Sequence, residues 1–514
     1  MDDAAARRAR RNTVGDAIGR AAARFRDRIA LRFGDRAWSY AALDAEASRL
    51  AAALSAAGLS QGDRVVAFGR NSDRYLLCWL ACCKAGLIHV PANYALSPPE
   101  LSYIVQQSSA RLLLHDAGLA PTAQAAGAPA IQLFDALVPA EGLPAEAGDD
   151  GDVTQILYTS GTTGAPKGAM LTHHALLAQY ASCIVELEFA GDDRVLAALP
   201  LYHTAQMHAF AMPQLLTGAE IFLIDTPAPA RVLEMIEQHR LTSFFAPPTV
   251  WISLLRHPDF AARDLRTLQK AYYGAAIMPV PVLRELRERL PGVRVYNAYG
   301  QSEIAPLATV LRPEEHDARP TSVGRPVLNV QTRVVDPDGR DVPPGERGEI
   351  VHRSPQLMLG YWDNPAETAK AFEGGWFHSG DVGTFDAEGF LYVVDRIKDI
   401  INTGGVQVAS REVEEALFTH PAVSEVAVIA VPDPKWIEAV AAVVVLRDGA
   451  AATEAELVEH ARERLAPFKL PKQVFFAESL PRNTAGKLLK RELRLCYGGV
   501  GSAVMGLEGD VATA

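Results

Sequence analysis

Residues 156–168 read Ile-Leu-Tyr-Thr-Ser-Gly-Thr-Thr-Gly-Ala-Pro-Lys-Gly. The apolar run at the start is typical of a buried strand, and an apolar-periodic stretch that indicates a helix resumes after Thr172. Between them, glycines allow backbone N–H groups to approach anionic oxygens, hydroxyl groups add donors, and Lys167 adds a positive charge. The stretch therefore predicts a strand, a loop and a helix arranged to hold phosphate groups.

This pattern differs from the phosphate-binding loop G-x-x-x-x-G-K-[ST]. Two residues separate Gly164 from Lys167, and Gly168 follows the lysine where that pattern has a hydroxyl residue. Composition alone leaves two interpretations open, a phosphate-binding loop or an ordinary loop rich in glycine, serine and threonine.

The ordered run from Tyr158 to Gly168 resembles the signature loop of the adenylate-forming superfamily, which contains acyl-CoA synthetases, luciferases and the adenylation domains of peptide synthetases. The resemblance extends from about Ala17 to Leu495, with the motifs in the family's order. It implies that the loop binds the β- and γ-phosphates of ATP. The loop residues implied in ATP binding are Thr159, Ser160, Gly161, Thr162, Thr163, Gly164 and Lys167.

Size and charge narrow the class of protein. At 514 residues the chain exceeds what one hydrophobic core usually supports, so two or more domains are expected. A net charge of −11 argues against a general nucleic-acid-binding protein. An acidic enzyme that binds ATP and CoA must gather its positive charge locally.

The five cysteines favour a reducing, cytoplasmic location. Their spacing gives no paired zinc-binding framework, and three of them lie in the apolar run Tyr75–Cys83, which predicts buried thiols. Lys84 ends this run too early for a membrane span, and the N-terminal arginines precede no apolar signal-peptide core.

Strand-like and helix-like segments alternate through much of the chain, which predicts parallel sheets covered by helices. Turns at Asp336–Gly339 and Asp386–Gly389 predict a β-rich subdomain, and a compact α/β pattern follows it. The predicted fold is α/β, with a large N-terminal domain at residues 1–395 and a small, mobile C-terminal lid domain at 396–514. The tail after Leu495 is expected to be disordered.

A second candidate segment, Asn297–Glu303, resembles the family's Tyr-Gly-x-Thr-Glu motif, in which Gly300 is the glycine. Tyr299 can stack on adenine, Ser302 can donate to a phosphate, and Glu303 can bind Mg²⁺. Ser302 replaces the usual threonine but keeps the hydroxyl group. Without the resemblance, the segment is more typical of an ordinary loop at a strand end.

The ribose and the reacting α-phosphate have separate candidates. The resemblance implies that Asp381 accepts hydrogen bonds from the ribose hydroxyls and that Arg396 reaches the same ribose. Lys398 matches the hinge on which the small domain rotates. Lys487 matches the family's C-terminal catalytic lysine, whose charge bridges the carboxylate and the α-phosphate during adenylation.

Coenzyme A is expected at the loop after the hinge. Gly404 and Gly405 allow a pantetheine arm to pass close to the backbone, and Trp436 can stack on the CoA adenine. A core or surface-patch role for Trp436 agrees with the sequence equally well.

The acyl group is expected beside Pro200–His203, which resembles the family's Pro-x-x-His segment and makes His203 a catalytic candidate beside Glu303 and Lys487. Small residues at 274–276 are expected to face both the nucleotide and the acyl group and to leave a channel open, which favours a fatty acid. The candidate pocket residues, in addition to His203, are Met207, Phe210, Gly274, Ala275, Ala276, Ala298 and Leu307.

Together these features predict an acyl-CoA synthetase that uses ATP, Mg²⁺ and CoA to activate a medium- or long-chain fatty acid through an acyl-AMP. Three alternatives stay open: an aryl- or hydroxycinnamate-CoA ligase, an acyl-AMP ligase that loads a carrier protein, and a nucleotide-binding pseudoenzyme. Small molecules are the expected partners, with no nucleic acid, no membrane span and homodimer formation left open.

Overall fold

The computed structural model describes residues 3–141, 148–159, 165–276, 278–403, 405–433, 436–482 and 488–498. The chain forms two compact units. The first comprises Met1–Ser379 and Thr384–Tyr392, and the second comprises Gly380–Gly383 and Val393–Ala514. The domain boundary at residue 395 stays a sequence prediction.

The helices and strands have the following bounds. The α-helices are α1 Asp3–Arg10, α2 Val14–Phe25, α3 Tyr40–Ala56, α4 Asp73–Ala85, α5 Pro98–Gln107, α6 Ala120–Ala125, α7 His173–Glu186, α8 Met212–Thr217, α9 Pro229–His239, α10 Pro248–Arg256, α11 Val280–Arg289, α12 Pro365–Ala371, α13 Ser410–Phe418, α14 Glu454–Arg462 and α15 Lys490–Tyr497. The strands are β1 Ile29–Phe33, β2 Arg36–Ser39, β3 Arg64–Phe68, β4 Ile88–Ala92, β5 Leu112–His115, β6 Ile131–Leu133, β7 Val153–Thr159, β8 Lys167–Thr172, β9 Arg194–Ala197, β10 Glu220–Leu223, β11 Ser243–Ala246, β12 Lys270–Gly274, β13 Arg294–Gly300, β14 Leu307–Leu311, β15 Arg325–Pro326, β16 Gln331–Val335, β17 Gly348–Arg353, β18 Phe377–Phe385, β19 Leu391–Arg396, β20 Ile401–Thr403, β21 Val406–Val408, β22 Val423–Asp433, β23 Ile437–Leu446 and β24 Gln473–Phe476.

Two large sheets organise the first unit. One has the order β6-β5-β3-β4-β7-β8, and its strands are parallel except at the β7–β8 pair. The other has the order β15-β14-β13-β12-β11-β9-β10-β1-β2, with parallel strands from β13 to β1 and antiparallel strands at both margins. The alternating pattern thus predicted the parallel, helix-covered sheets correctly, because parallel neighbours need helical crossovers.

The apolar helix α4 is buried on all sides. Its N-cap Ser72 accepts a hydrogen bond from the Tyr75 N–H, and Gly86 ends it in the left-handed conformation at φ 67°. Cys78, Cys82 and Cys83 are free and buried, as the sequence predicted. A helix that is hydrophobic all round belongs in a core, so the apolar run reflects packing.

The predicted order of strand, phosphate loop and helix is wrong. Strand β8 follows the loop and pairs antiparallel with β7, and helix α7 begins only at His173. Ala169 and Leu171 are fully buried while Met170 between them is partly exposed, which is strand periodicity. The loop therefore joins two strands of a hairpin, and the N-terminus of α7 lies six residues beyond Lys167 in sequence.

Strands β16 to β19 form a four-stranded sheet in chain order. Both predicted turns are present, with Gly339 at φ 78° and Gly389 at φ 80°. In the first turn, the Asp336 carboxylate accepts hydrogen bonds from the Asp338 and Arg340 N–H groups.

The second unit has its own sheet, in the order β21-β20-β23-β22, with β24 parallel to β23. Alternate residues of β22 and β23 face opposite sides. Val428 and Val440 pack with α13 and α14, whereas Ile429 and Val443 pack with α15. Thr453 and Glu456 form a capping box at the start of α14, as their Thr-x-x-Glu spacing in the sequence indicates.

The described C-terminal helix extends beyond the point where the sequence suggested a disordered tail. Helix α15 continues to Tyr497, whose ring stacks on Phe475 with centroids 4.7 Å apart. Among the described residues, no helix is both long enough and apolar enough to cross a bilayer.

Candidate active site

The β7–β8 hairpin places a hydroxyl group opposite a cation. Thr159 ends β7, Lys167 begins β8, and the two residues are register partners. The intervening candidates Ser160, Gly161, Thr162, Thr163 and Gly164 lie outside the described residues. Their assignment to the ATP phosphates stays a prediction.

Lys167 already has an anionic partner. Its ammonium group forms an ion pair with the Glu367 carboxylate and lies 5.3 Å from the centroid of the Tyr361 ring. The lysine side chain is 17% exposed and the glutamate side chain is 34% exposed, so water reaches the ion pair mainly from the glutamate side. This interaction with Lys167 holds the Glu367 pKa below its ordinary value.

Glu303 lies in a short turn after β13 and is 9% exposed. Its Oε1 accepts hydrogen bonds from Thr159 Oγ1 and Tyr361 Oη, each at 3.2 Å. Its backbone carbonyl accepts from the Met358 N–H at 2.8 Å. Three separate segments of the first unit therefore meet at this glutamate.

The donor set at Glu303 fits Mg²⁺. Among the described residues no hydrogen bond reaches Oε2, so one carboxylate oxygen is available to a ligand. The described chain contains no cluster of three or more His, Cys, Asp or Glu side chains that would form an all-protein metal site. A single carboxylate completed by phosphate oxygens and water is the usual way Mg²⁺ is bound beside a nucleotide.

The rest of the second motif is close-packed. Ser302 Oγ lies 3.2 Å from Thr204 Oγ1, which joins the motif to the residue after His203. At Gly300 a Cβ atom would lie 1.8 Å from the Pro306 carbonyl oxygen, so only glycine fits. Tyr299 is half-buried, with its ring 6.5 Å from His352.

The Pro200–His203 segment leads into an irregular helix. The His203 ring packs on Tyr202 with centroids 4.6 Å apart, and the His203 backbone N–H donates to the Pro200 carbonyl. Residues Ala205–Ala211 then form a π-helix, in which the Met212 N–H bonds to the Met207 carbonyl. Such π-helical turns frequently occur at functional sites.

The largest candidate pocket residues are buried. Met207, Phe210 and Leu307 are each at most 2% exposed. Phe210 stacks on Phe245 at 4.0 Å and also contacts Tyr272 at 5.2 Å. The structure thus surrounds Phe210 with aromatic rings.

The expectation of an open channel is wrong at Gly274. A Cβ atom there would lie 2.3 Å from the Ala298 carbonyl oxygen on the neighbouring strand. The missing side chain therefore permits close backbone packing. Ala275 and Ala276 beyond it are exposed, with Ala275 in the left-handed conformation at φ 63°.

In the second unit, the two predicted ribose-binding residues lie together. Arg396 Nε is 3.3 Å from Asp381 Oδ1, and the Asp381 side chain is 6% exposed. The neighbouring Asp395 accepts hydrogen bonds from the Ser410 N–H at 2.6 Å and from its hydroxyl at 2.7 Å. These bonds fix the backbone just before the predicted hinge residue Lys398 to the start of helix α13.

The predicted hinge residue Lys398 is partly enclosed. Burial, and then the nearby Arg396 charge, lower the pKa of its ammonium group. The adjacent Asp399 forms an ion pair with Arg494 of α15. The segment around Lys398 is therefore rich in charged groups that are held in place.

Two of the predicted CoA-binding residues are described. Gly405 has φ 85°, a conformation that favours glycine, and Trp436 is 37% exposed. Strand register places Thr403 opposite Ile437, the residue after Trp436. Gly404 and the predicted catalytic Lys487 lie outside the described residues.

Sequence reasoning missed three residues that the structure brings to this site: Thr204, Tyr361 and Glu367. Tyr361 and Glu367 are about two hundred residues from Lys167 in sequence, so no local spacing could indicate the contacts. The Pro-Ala-Glu start of α12 signals only a helix N-terminus, where acidic residues are common.

Two family models and several known proteins are similar to this chain over most of its length. Residues 18–362 match the family described as AMP-binding enzyme, and residues 412–487 match the AMP-binding enzyme C-terminal domain. A feruloyl-CoA synthase from Amycolatopsis sp is 41% identical over 475 residues, covering 91% of this chain and 96% of the relative. A long-chain-fatty-acid–CoA ligase from Bacillus subtilis is 32% identical over 531 residues, covering 94% of each protein. The solved structure of ATP-bound MatB from Rhodopseudomonas palustris is similar with a TM-score of 0.88 at 31% identity, covering 96% of this chain and all of that one.

Proposed function

The chain belongs to the AMP-binding enzyme family and is an AMP-forming acid–thiol ligase, and from this premise we propose that its acid is an aryl acid of the hydroxycinnamate type. The observation that carries the proposal is the 41% identity to a feruloyl-CoA synthase along 91% of the chain.

We propose the following roles in the first half-reaction. The acid's carboxylate oxygen attacks the α-phosphorus of ATP, a new O–P bond forms, and the bond to pyrophosphate breaks. Thr159, Lys167 and Ser302 hold phosphate oxygens, and Lys487 neutralises charge that builds at the α-phosphate. Mg²⁺, when bound at Glu303, would withdraw charge from the phosphate oxygens.

In the second half-reaction the CoA thiol attacks the acyl carbon. A C–S bond forms, AMP leaves with the bonding electron pair, and the thiol proton passes to solvent. Asp381 and Arg396 hold the ribose of the adenylate, and Gly404, Gly405 and Trp436 receive CoA. Rotation of the small domain about Lys398 would withdraw Lys487 from the adenylate and bring these CoA-binding residues to it.

A fatty acid is the second candidate. The identity to the Bacillus subtilis ligase and the apolar character of Met207 and Leu307 favour it. A carrier protein in place of CoA, and a homodimeric state, remain proposals for the same chain.

The test is ATP-dependent pyrophosphate release with ferulate, coumarate, benzoate and a series from acetate to palmitate, each with and without CoA. We expect kcat/KM for ferulate or coumarate to exceed that for any fatty acid by at least about tenfold, equivalent to about 1.4 kcal/mol. A maximum on the fatty acids would refute the aryl proposal. Release that never turns over with CoA would instead indicate a carrier-protein acceptor.

A further inference from the structure

Tyr361 contacts both charged groups on which phosphate binding would depend. Its hydroxyl donates to Glu303 Oε1 at 3.2 Å, and its ring lies beneath the Lys167 ammonium group at 5.3 Å. Lys167 begins β8, Glu303 lies in the turn after β13, and the two side chains have opposite charges. The Tyr361 side chain therefore links the two groups.

The backbone around Tyr361 is fixed at both ends. Residues 358–362, which we term the bridging segment, form hydrogen bonds with β8: Met170 N–H to the Gly360 carbonyl at 2.9 Å and Trp362 N–H to the Gly168 carbonyl at 2.7 Å. At its start, the Met358 N–H donates to the Glu303 carbonyl. The segment therefore spans from the strand that carries Lys167 to the turn that carries Glu303.

The conformation of the bridging segment is also locally enforced. Gly360 has φ 150°, and a Cβ atom there would lie 2.7 Å from Thr368. The Tyr361 N–H donates to Thr368 Oγ1 at 2.8 Å. Helix α12, which contains Thr368, also supplies Glu367 to Lys167. One short region thus orients the tyrosine, the lysine and the lysine's counter-ion.

We propose that Tyr361 is a positioning residue that fixes the Mg²⁺-binding carboxylate Glu303 relative to the phosphate-binding cation Lys167. The proposal rests on the proposed function, since it concerns the same ATP site. The hydroxyl group serves Glu303, whose carboxylate it orients through a hydrogen bond. The ring serves Lys167, whose ammonium group its face attracts.

This division of roles makes the two effects separable by substitution. Tyr361→Phe removes the bond to Glu303 and keeps the ring under Lys167. We expect it to weaken binding of Mn²⁺, used as the probe with α,β-methylene-ATP, by about tenfold, as for other groups that orient a metal ligand. Metal-free binding of the analogue should stay unchanged.

The matched variants test the lysine side. Tyr361→Leu should show the same loss of Mn²⁺ affinity and, in addition, about threefold weaker metal-free binding of the analogue, because the cation–π contact is lost. Glu367→Gln should tighten metal-free binding, since it removes a competing anion from Lys167, and should leave Mn²⁺ affinity unchanged.

Electron paramagnetic resonance of free Mn²⁺ and calorimetry of the analogue provide readouts that do not require turnover. Wild-type Mn²⁺ affinity in Tyr361→Phe would overturn the inference, as would an equal loss in metal-free analogue binding with a lowered Tm. Failure of the aryl-acid proposal is distinguishable, because a chain that binds Mn²⁺ and the analogue but joins no aryl acid refutes the substrate alone. A wild-type chain that binds no analogue would refute both.

Discussion

At the scale of single residues, Glu303 depends on hydroxyl groups from distant parts of the chain. Thr159 and Tyr361 both donate to its Oε1, so this nearly buried carboxylate has two hydroxyl donors and no direct cationic partner among the described residues. Each hydrogen bond to a charged group contributes about 1.5–3 kcal/mol. The two donors also fix which oxygen remains for a metal.

Lys487 gives a prediction at this scale. Lys487→Ala should lower the rate of adenylation by about a hundredfold, equivalent to about 3 kcal/mol, because the cation that neutralises the transition state is lost. Thioester formation from supplied acyl-AMP should change far less. Pyrophosphate release and CoA consumption measure the two steps, with the exposed Lys370→Ala as a control of equal charge. Equal losses in both steps would contradict the assigned role.

The sequence predicted some of these residues and not others for a physical reason. Thr159, Lys167 and Glu303 lie within recognisable runs of neighbouring residues, so a linear pattern identifies them. Tyr361 and Glu367 act through contacts made by tertiary folding, and nothing in their neighbours distinguishes them. The sequence predicts open space at Gly274, but the Ala298 carbonyl on the neighbouring strand lies where a side chain would be, and the sequence does not indicate that contact.

At the scale of elements, the phosphate loop belongs to a β-hairpin. The sequence predicts a helix after Thr172, where α7 does begin, but it does not indicate the strand β8 between the loop and that helix, because β8 is only six residues long. The π-helix Ala205–Ala211 was likewise beyond prediction, since periodicity does not separate one inserted residue from an α-helix. In contrast, α4 and α14 carried clear capping signals.

The segment around Lys398 gives a prediction at the element scale. Lys398→Pro should restrict the backbone at Ile397 and Lys398, so thioester formation should fall at least about tenfold while adenylation is retained. Lys398→Ala, which removes the charge and keeps the backbone freedom, is the control. The two half-reactions are measured separately, and the hinge assignment is wrong if Lys398→Pro leaves both intact.

At the scale of the whole molecule, the first unit buries several neutral histidines. Burial lowers the pKa of His89 and His208 to about 3, and that of His173, His316 and His352 to about 4. His208 lies within a polar chain that links Tyr180 at 2.7 Å and Gln155 at 2.9 Å. These rings are structural and stay uncharged in the folded state.

This burial predicts acid sensitivity. Each folded-state pKa lies below the unfolded value near 6.5, so the unfolded chain binds protons first as pH falls. Stability is therefore fully present above about pH 6.5 and is lost progressively down to the folded pKa values near 3 to 4. Each such histidine should cost about 1.4 kcal/mol between pH 7.5 and 5.5.

Urea unfolding of the first unit at the two pH values measures this loss. The exposed His174 provides the control, and His174→Gln should leave the pH dependence unchanged. A free energy of unfolding that is equal at pH 7.5 and 5.5 would show that the buried histidines do not govern acid stability.

The second unit consists of two separate stretches of the chain, and this has a consequence for recombination between relatives. Gly380–Gly383 belongs to that unit although nine later residues, Thr384–Tyr392, belong to the first. A hybrid joined at Val393 would inherit Arg396 from one parent and Asp381 from the other, although these side chains lie 3.3 Å apart. Exchangeable modules of this protein are therefore discontinuous in sequence. A transplanted C-terminal unit must include the four residues Gly380–Gly383.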